Sequence, residues 1–385
     1  MEHQLKARVP FDFATRKEYM DLPFPESEYE LRVGKTRQLM EQNGLGALVA
    51  FGDQNDFGHL TYLANFELMI GRGAVIVTPD SVSLITDSAF HGEPMHSLVW
   101  KTWIEDVTAT QPSMAAFFSV LRTRLSEVKG KIGAIGLYGF SIKELGLPVV
   151  DVERVFLLMK SRKTHRELEV MKEASRITSC GMKAAVGITK SGVKETEIAA
   201  VACKAMFEEG AMRLAFPPII SAGPRAGTKH DYPSRRKIED GDMVYIDIGA
   251  MWQGYYSDMS KTILIGNGSR EKRDALDSVF QIYSELMTKI KPGASAGEVA
   301  RYGETLAKSR GWLRDYWSMG HGLGTSFLEV PSFTPESQDV FNTGMVFAYE
   351  PMIVRLGLGT AVVEDTVTVT EDGCVTLTEC ERKLW

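Results

Sequence analysis

The sequence predicts two domains of different class, an α/β domain over roughly the first 160 residues and an α+β domain over the remainder. Three observations carry this. The chain has 385 residues, 44% hydrophobic and 24% charged, enough for two ordinary cores. Up to about residue 150, apolar strand-like runs alternate with helical stretches. Beyond residue 164, helices are interleaved with hairpin-like strand pairs, and the residues with chemistry in them fall there.

In chain order, an N-terminal arm leads to an amphipathic helix expected over 27–43. Apolar or β-branched runs predict strands at 44–51, 73–78 and 81–86. Helices at 113–129 and 141–145 bracket a strand at 131–137. Thr164-His-Arg-Glu167 is a capping-box pattern, with Thr at the helix start and Glu three residues later, and it opens a helix to about residue 188. Lys190-Ser-Gly-Val breaks that helix, and further helices are expected at 196–209, 269–291 and 295–309. A domain boundary between 160 and 161 follows.

A net charge of −6 without a basic stripe gives no footprint for nucleic acid. No apolar run reaches signal-peptide or membrane-spanning length, so the expectation is a cytoplasmic protein with no membrane partner. Cys180, Cys203, Cys374 and Cys380 have no CxxC spacing and read as reduced thiols. His91, His96 and His165 read as surface or structural.

The chemistry begins at a predicted hairpin. Residues 243–249 read as a strand, apolar or aromatic but for Asp247, and 255–264 as its return, containing Asp258. A turn centred between Trp252 and Gln253 sets the two carboxylates opposite each other, roughly 5 Å apart on one sheet face. Like charges so placed repel unless they share a proton or a cation, so the hairpin reads as half of a metal site. Its competing readings are a solvated hairpin face and a register that separates the two acids. Gly320-His321-Gly322 puts an imidazole where backbone can approach closely. Glu350 ends one apolar strand and Glu364 lies inside another. Such carboxylates are costly unless paired or metal-bound. A three-residue turn through Leu356-Gly357-Leu358 brings Glu350 and Glu364 to one face. Four carboxylates and one imidazole suit two divalent ions drawn from Mn²⁺, Fe²⁺, Co²⁺ or Zn²⁺, and the chemistry of water attack on a polarised carbonyl or amidine carbon.

These motifs, Tyr245-Ile-Asp247-Ile-Gly through Ser257-Asp258, Gly320-His321-Gly, Glu350-Pro351 and Glu364-Asp365-Thr, resemble the pita-bread family of methionine aminopeptidase, aminopeptidase P, prolidase and creatinase. Asn65-Phe66 after Tyr62-Leu63, and Ser161-Arg-Lys-Thr-His-Arg-Glu167, extend the resemblance over nearly the whole chain. It implies an α/β creatinase-like N-terminal domain (1–160) and an α+β pita-bread catalytic domain (161–385). It also implies metal ligation by Asp247, Asp258, His321, Glu350 and Glu364, and a homodimer whose N-terminal domain lies near the partner's site. His230, in Lys229-His-Asp-Tyr-Pro233, resembles the family's histidine that stabilises the tetrahedral intermediate or passes a proton. Glu350 takes a second role as general base.

Three positions depart from the proline-specific members. Leu328 stands where they carry a histidine, Val362 where they carry an arginine, and Trp317 where aminopeptidase P has a further histidine. Met352 replaces a glycine usual in the peptidases and resembles creatinase instead. The pocket is therefore expected to be apolar, lined by Tyr316, Trp317, Phe327 and Leu328. The reading that follows is a dinuclear-metal hydrolase of an amide or amidine C–N bond in a small amino-acid-derived substrate, a member outside the proline peptidases. One alternative is an Xaa-Pro dipeptidase or aminopeptidase. Another is a metal-dependent lyase resembling the dimethylsulfoniopropionate enzyme, against which Phe327 stands where that enzyme has a carboxylate. A non-catalytic binding module is the last, and it gives no reason for five chelating side chains.

Overall fold

The structure is a computed structural model that describes residues 17–18, 20–87, 89–90, 93–94, 101–137 and 146–385. The helix expected at 141–145, His91, His96 and most of the N-terminal arm lie outside these residues. The chain divides into two compact units, Met1–Lys160 and Ser161–Trp385.

The first unit is built on a six-stranded mixed sheet. Its order is Asp106–Ala109, Val82–Thr86, Arg72–Val77, Leu45–Asp53, Lys131–Ile135, Val149–Asp151. The central strand Leu45–Asp53 is apolar on both faces because both are covered. Ala47, Val49 and Phe51 pack on Phe117, Phe118 and Leu121 of helix Met114–Leu125. Helices Glu26–Gln42 and Gly58–Ala64 pack against the same strand. The second of these, with helix Glu153–Ser161 and the outer strands, has no counterpart in the sequence reading. Segments this short offer too little periodicity to register. His59 and Tyr62 are core residues here, and His59 Nε2 lies 2.7 Å from Glu153 Oε1.

The second unit places strands between two helical layers. His165–Ile188 and Glu195–Glu208 supply Ile177, Met182, Ile198 and Ala202 to one core, shared with Val244, Ile246 and Ile248. Arg270–Met287 and Ala296–Ser309 supply Leu276, Val279, Ile282 and Val299 to the other, shared with Phe347, Tyr349, Ile353 and Val367. The Thr164 capping box forms: Thr164 Oγ1 accepts from the Glu167 amide at 3.2 Å, and the Thr164 amide donates to Glu167 Oε2 at 2.9 Å. Tyr255 donates to the other Glu167 oxygen at 2.9 Å, tying the helix start to the first acidic hairpin.

Alternation along the strands leaves one kind of side chain between the layers. Ile246 and Ile248 enter the first core, so Tyr245 and Asp247 point the other way. Among the described residues no helix is long and apolar enough to cross a membrane, and all four cysteines are free thiols.

Candidate metal centre

Both acidic hairpins form, and one differs in register from expectation. Strand Met243–Ile248 pairs with Met259–Leu264 so that Asp247 faces Ser260, not Asp258. The turn is centred between Gln253 and Gly254, both at positive φ (49° and 77°), the geometry of a two-residue type I′ turn. Asp258 is thus a diagonal neighbour of Asp247, two residues from its direct partner and on the same face. The second hairpin has the expected register. Met352–Arg355 pairs with Gly359–Val362 through Leu356-Gly357-Leu358, and Tyr349 pairs with Asp365, which sets Glu350 against Glu364 where the strands break. The two hairpins are joined by the Glu364 amide donating to Ser260 O at 3.0 Å and by Thr366 Oγ1 donating to Asp258 O at 2.8 Å.

The result is a cluster of buried acids. Asp247, Asp258 and Glu364 each offer an oxygen within 4.8 Å of the others. Glu350 and His321 complete the set at the floor of a cavity of about 360 Å³ that Asp247 and Asp258 also line. His321 Nε2 is 3.5 Å from Asp258 Oδ2, while Nδ1 lies 3.2 Å from Gly322 O. A proton on Nδ1 donated to that carbonyl leaves Nε2 as a free donor atom toward the acids. Gly320 permits this: it sits at φ 154°, and a Cβ added there would come within 2.8 Å of the Ala348 carbonyl oxygen and of the Phe333 ring.

The protein does not neutralise this cluster. Asp247 Oδ1, Asp258 Oδ1 and both Glu364 oxygens are buried with no hydrogen-bond partner among the described residues. Among the described residues the one firm side-chain donor is Tyr245, whose hydroxyl donates to Asp247 Oδ2 at 2.6 Å. Burial, then Asp258, push Asp247 well above the usual carboxylate range despite that bond. Burial, then Asp258, Glu350 and Asp247, do the same to Glu364. Burial lifts Glu350 to about 7. Burial alone would lower His321, but Asp258 and Glu350 reverse it and leave the imidazole above its ordinary value. Unpaired buried carboxylates cost roughly several kcal/mol each. Orphaned oxygens converging with one imidazole nitrogen are the donor set of a divalent-cation site, and the residues fit one.

The remaining predicted residues divide. His230 lines the cavity, as do Phe327 and Leu328. Burial and the Lys229 charge hold His230 below its ordinary pKa, against Asp258. The Phe327 ring lies 4.9 Å from the His321 ring and packs on Phe216 and Tyr256. Tyr316 is a correction. It does not line the cavity but is buried in the helical core, its hydroxyl in the space that Gly303 leaves free. Strand alternation turns its neighbour Trp317 outward instead, half exposed, and Trp317 is not among the lining residues either. Phe216, Ile219, Met319 and Tyr232 line the cavity without having been picked out from sequence, for apolar residues in loops carry no signal there. Lys229 was likewise passed over beside His230, although its ammonium lies against Met319.

Comparison with known proteins decides the family. Residues 169–371 match the model of "Metallopeptidase family M24". The chain belongs to this family. It is a metal-dependent hydrolase of the prolidase and aminopeptidase P branch. It is 35% identical over 224 residues to an Xaa-Pro dipeptidase of Pyrococcus furiosus and 33% identical over 238 residues to one of Pyrococcus horikoshii. These matches cover 58% and 61% of this chain and 64% and 67% of the relatives, so the chain spans about two thirds of their length. The solved prolidase of Pyrococcus horikoshii superposes with a TM-score of 0.82 at 25% identity, covering 92% of this chain and 99% of that one. The fold is accordingly the two-domain prolidase-like one, an α/β sheet domain followed by a pita-bread domain.

Proposed function

We propose that this protein is a dinuclear-metal dipeptidase that hydrolyses the amide bond of Xaa-Pro dipeptides. The observation that carries the reading is the set of buried acid oxygens on Asp247, Asp258 and Glu364 that lack hydrogen-bond partners among the described residues, beside the cavity-lining Glu350 and His321. The Xaa-Pro dipeptidases among its relatives favour the peptide substrate over the non-peptide amide expected from the sequence. Asp247, Asp258, His321, Glu350 and Glu364 hold the ions, with Mn²⁺, Fe²⁺, Co²⁺ and Zn²⁺ all suited to the donor set. When bound, such ions lower the pKa of water and polarise the scissile carbonyl. Glu350 accepts the proton of the attacking water, and its reach into the cavity suits it to that task. His230, which also lines the cavity and is held below its ordinary pKa, donates a hydrogen bond to the oxygen on which charge develops, and Glu350 passes the proton it took from water to the leaving nitrogen. Phe327 and Phe216 shield this floor from bulk water. A homodimer belongs to the same proposal.

A second reading keeps the metal chemistry and changes the substrate to a small non-peptide amide. One observation favours it: Trp317, Met352 and Val362 are direct cross-strand partners in one row. Two of the three departures from the proline-specific pattern, Trp317 and Val362, are therefore joined through Met352 into one contiguous row, with Met352 and Val362 packed against Tyr245. Incubating the metal-loaded protein with a panel of Xaa-Pro dipeptides separates the readings. Release of free proline supports the dipeptidase. Silence across the panel, with turnover of simple amino-acid amides, replaces it with the second reading.

A further inference from the structure

Lys229 carries a cation with no ion-pair partner in contact among the described residues, although the charge of Glu350 acts on it. Its Nζ lies 3.5 Å from the centroid of the Trp317 indole and 3.7 Å from Met319 Sδ, and it makes no ion pair among the described residues. Nearby Arg225, by contrast, is paired with Glu195 and Asp231. The backbone under Lys229 is also unusual. Lys229 and His230 sit at φ 52° and 42°, two consecutive L residues in the left-handed region, a conformation that persists only where its surroundings hold it. That backbone presents the imidazole of His230 to the cavity and the ammonium of Lys229 to Met319, itself a lining residue.

The surface beside this cation is apolar. The cross-strand row of Val362, Met352 and Trp317 runs toward it, with Ile219 and Met319 packed on the buried end. No lysine or arginine is among the lining residues of the cavity. An indole face holds an ammonium by its quadrupole and leaves the N–H donors facing outward, so the ion is placed without being neutralised. A partly desolvated ammonium resting against Met319, a residue that does line the cavity, favours an anionic group on whatever enters beside it.

We infer that Lys229 holds the free carboxylate of the substrate, with Trp317 as the plate that fixes the ammonium. This rests on the dipeptidase reading, since it is the dipeptide that brings a terminal carboxylate. Lys229 is then the specificity-determining residue that restricts the enzyme to substrates ending next to the cleaved bond.

The test uses the full-length, metal-loaded protein with an Xaa-Pro dipeptide and the same dipeptide as its C-terminal carboxamide. The wild type is expected to favour the acid, mainly through KM. K229M is expected to reduce that acid-over-amide ratio of kcat/KM by about ten-fold or more, the size of a lost charge-assisted hydrogen bond. K229R retains most of the preference. Calorimetric binding of proline against prolinamide, which involves no turnover, follows the same order. An acid preference that survives in K229M while the wild type turns over dipeptides overturns the inference and leaves the dipeptidase reading intact. Equal losses on acid and amide also overturn it, by showing a merely structural lysine. No wild-type turnover of either substrate overturns the dipeptidase reading, and the inference falls with it.

Discussion

Glu364 and Asp365 are adjacent on one chain, equally buried, and electrostatically opposite. Asp365 is met by Lys261 Nζ at 3.1 Å, Arg382 Nε at 2.8 Å, the Tyr283 hydroxyl at 2.7 Å and the Thr378 hydroxyl at 3.0 Å. Burial works against its ionisation, but Lys261 and Arg382 prevail and hold it below the usual carboxylate range. Glu364, one residue away on the opposite strand face, has among the described residues no hydrogen-bond partner for either oxygen, no cation beside it to match Lys261 and Arg382, and three further acids nearby. The same fold can evidently neutralise a buried carboxylate with its own cations. Beside Glu364 it supplies none, which is the arrangement a site needs if the cation is to come from outside.

Substitutions at these two positions are expected to have opposite signatures. Glu364→Gln lowers kcat/KM by at least about a thousand-fold, consistent with loss of a group on which the chemistry depends. It also raises the melting temperature of the metal-free protein, because it removes one of the mutually repelling charges. Asp365→Asn acts the other way. It strands Lys261 as a buried cation and costs about 3–5 kcal/mol of stability, read by denaturant unfolding, while metal uptake by folded protein persists. Should Glu364→Gln prove as destabilising as Asp365→Asn in the metal-free protein, the contrast between the two sites fails.

A smaller effect is expected at Tyr245. Tyr245→Phe removes the one firm donor to Asp247 and should weaken metal affinity about ten- to a hundred-fold, measured by competition with a chelator. The smallest is a pH dependence. In the metal-free protein the folded pKa of Asp247, Glu350 and Glu364 is raised, so the native state binds more protons than the unfolded chain above the ordinary carboxylate values. Stability from these groups is therefore lost as pH rises, for Glu350 between 4.5 and about 7. The slope is at most about 1.4 kcal/mol per pH unit for each group. Asp365 contributes with the opposite sign, its stabilisation lost only as pH falls through its lowered value. Melting curves of metal-free protein across this range should show the tilt, and added Mn²⁺ should abolish it.

Much of this contrast was legible from residues alone, because both hairpins carry acids inside β-branched or aromatic runs and burial without a partner is a physical anomaly. The glycine of Leu356-Gly357-Leu358 marked the second turn and its register. The first register slipped because Gln253 takes a positive φ where asparagine would have announced the turn. A one-residue shift of the turn centre moved Asp258 from a facing to a diagonal position, yet the period of two kept it on the same face. Tyr316 went wrong for the related reason that a two-residue strand gives no alternation to read, so the core-facing and outward-facing members of Tyr316-Trp317 could not be told apart. Lys229 was invisible because its role depends on a cross-strand row assembled from Trp317, Met352 and Val362, residues that are far apart in sequence. The non-peptide reading rests on Leu328, Val362 and Trp317, together with Met352, each taken one at a time. The Xaa-Pro dipeptidase relatives turn the preference toward a dipeptide.

The most direct test is metal stoichiometry. The protein would be stripped with chelator, reconstituted with Mn²⁺, desalted and analysed by atomic emission, alongside Glu364→Gln and Asp365→Asn. The account predicts two ions per chain in the wild type and in folded Asp365→Asn, and at most one in Glu364→Gln. A wild type that retains no metal, or a Glu364→Gln variant that retains two, would contradict it.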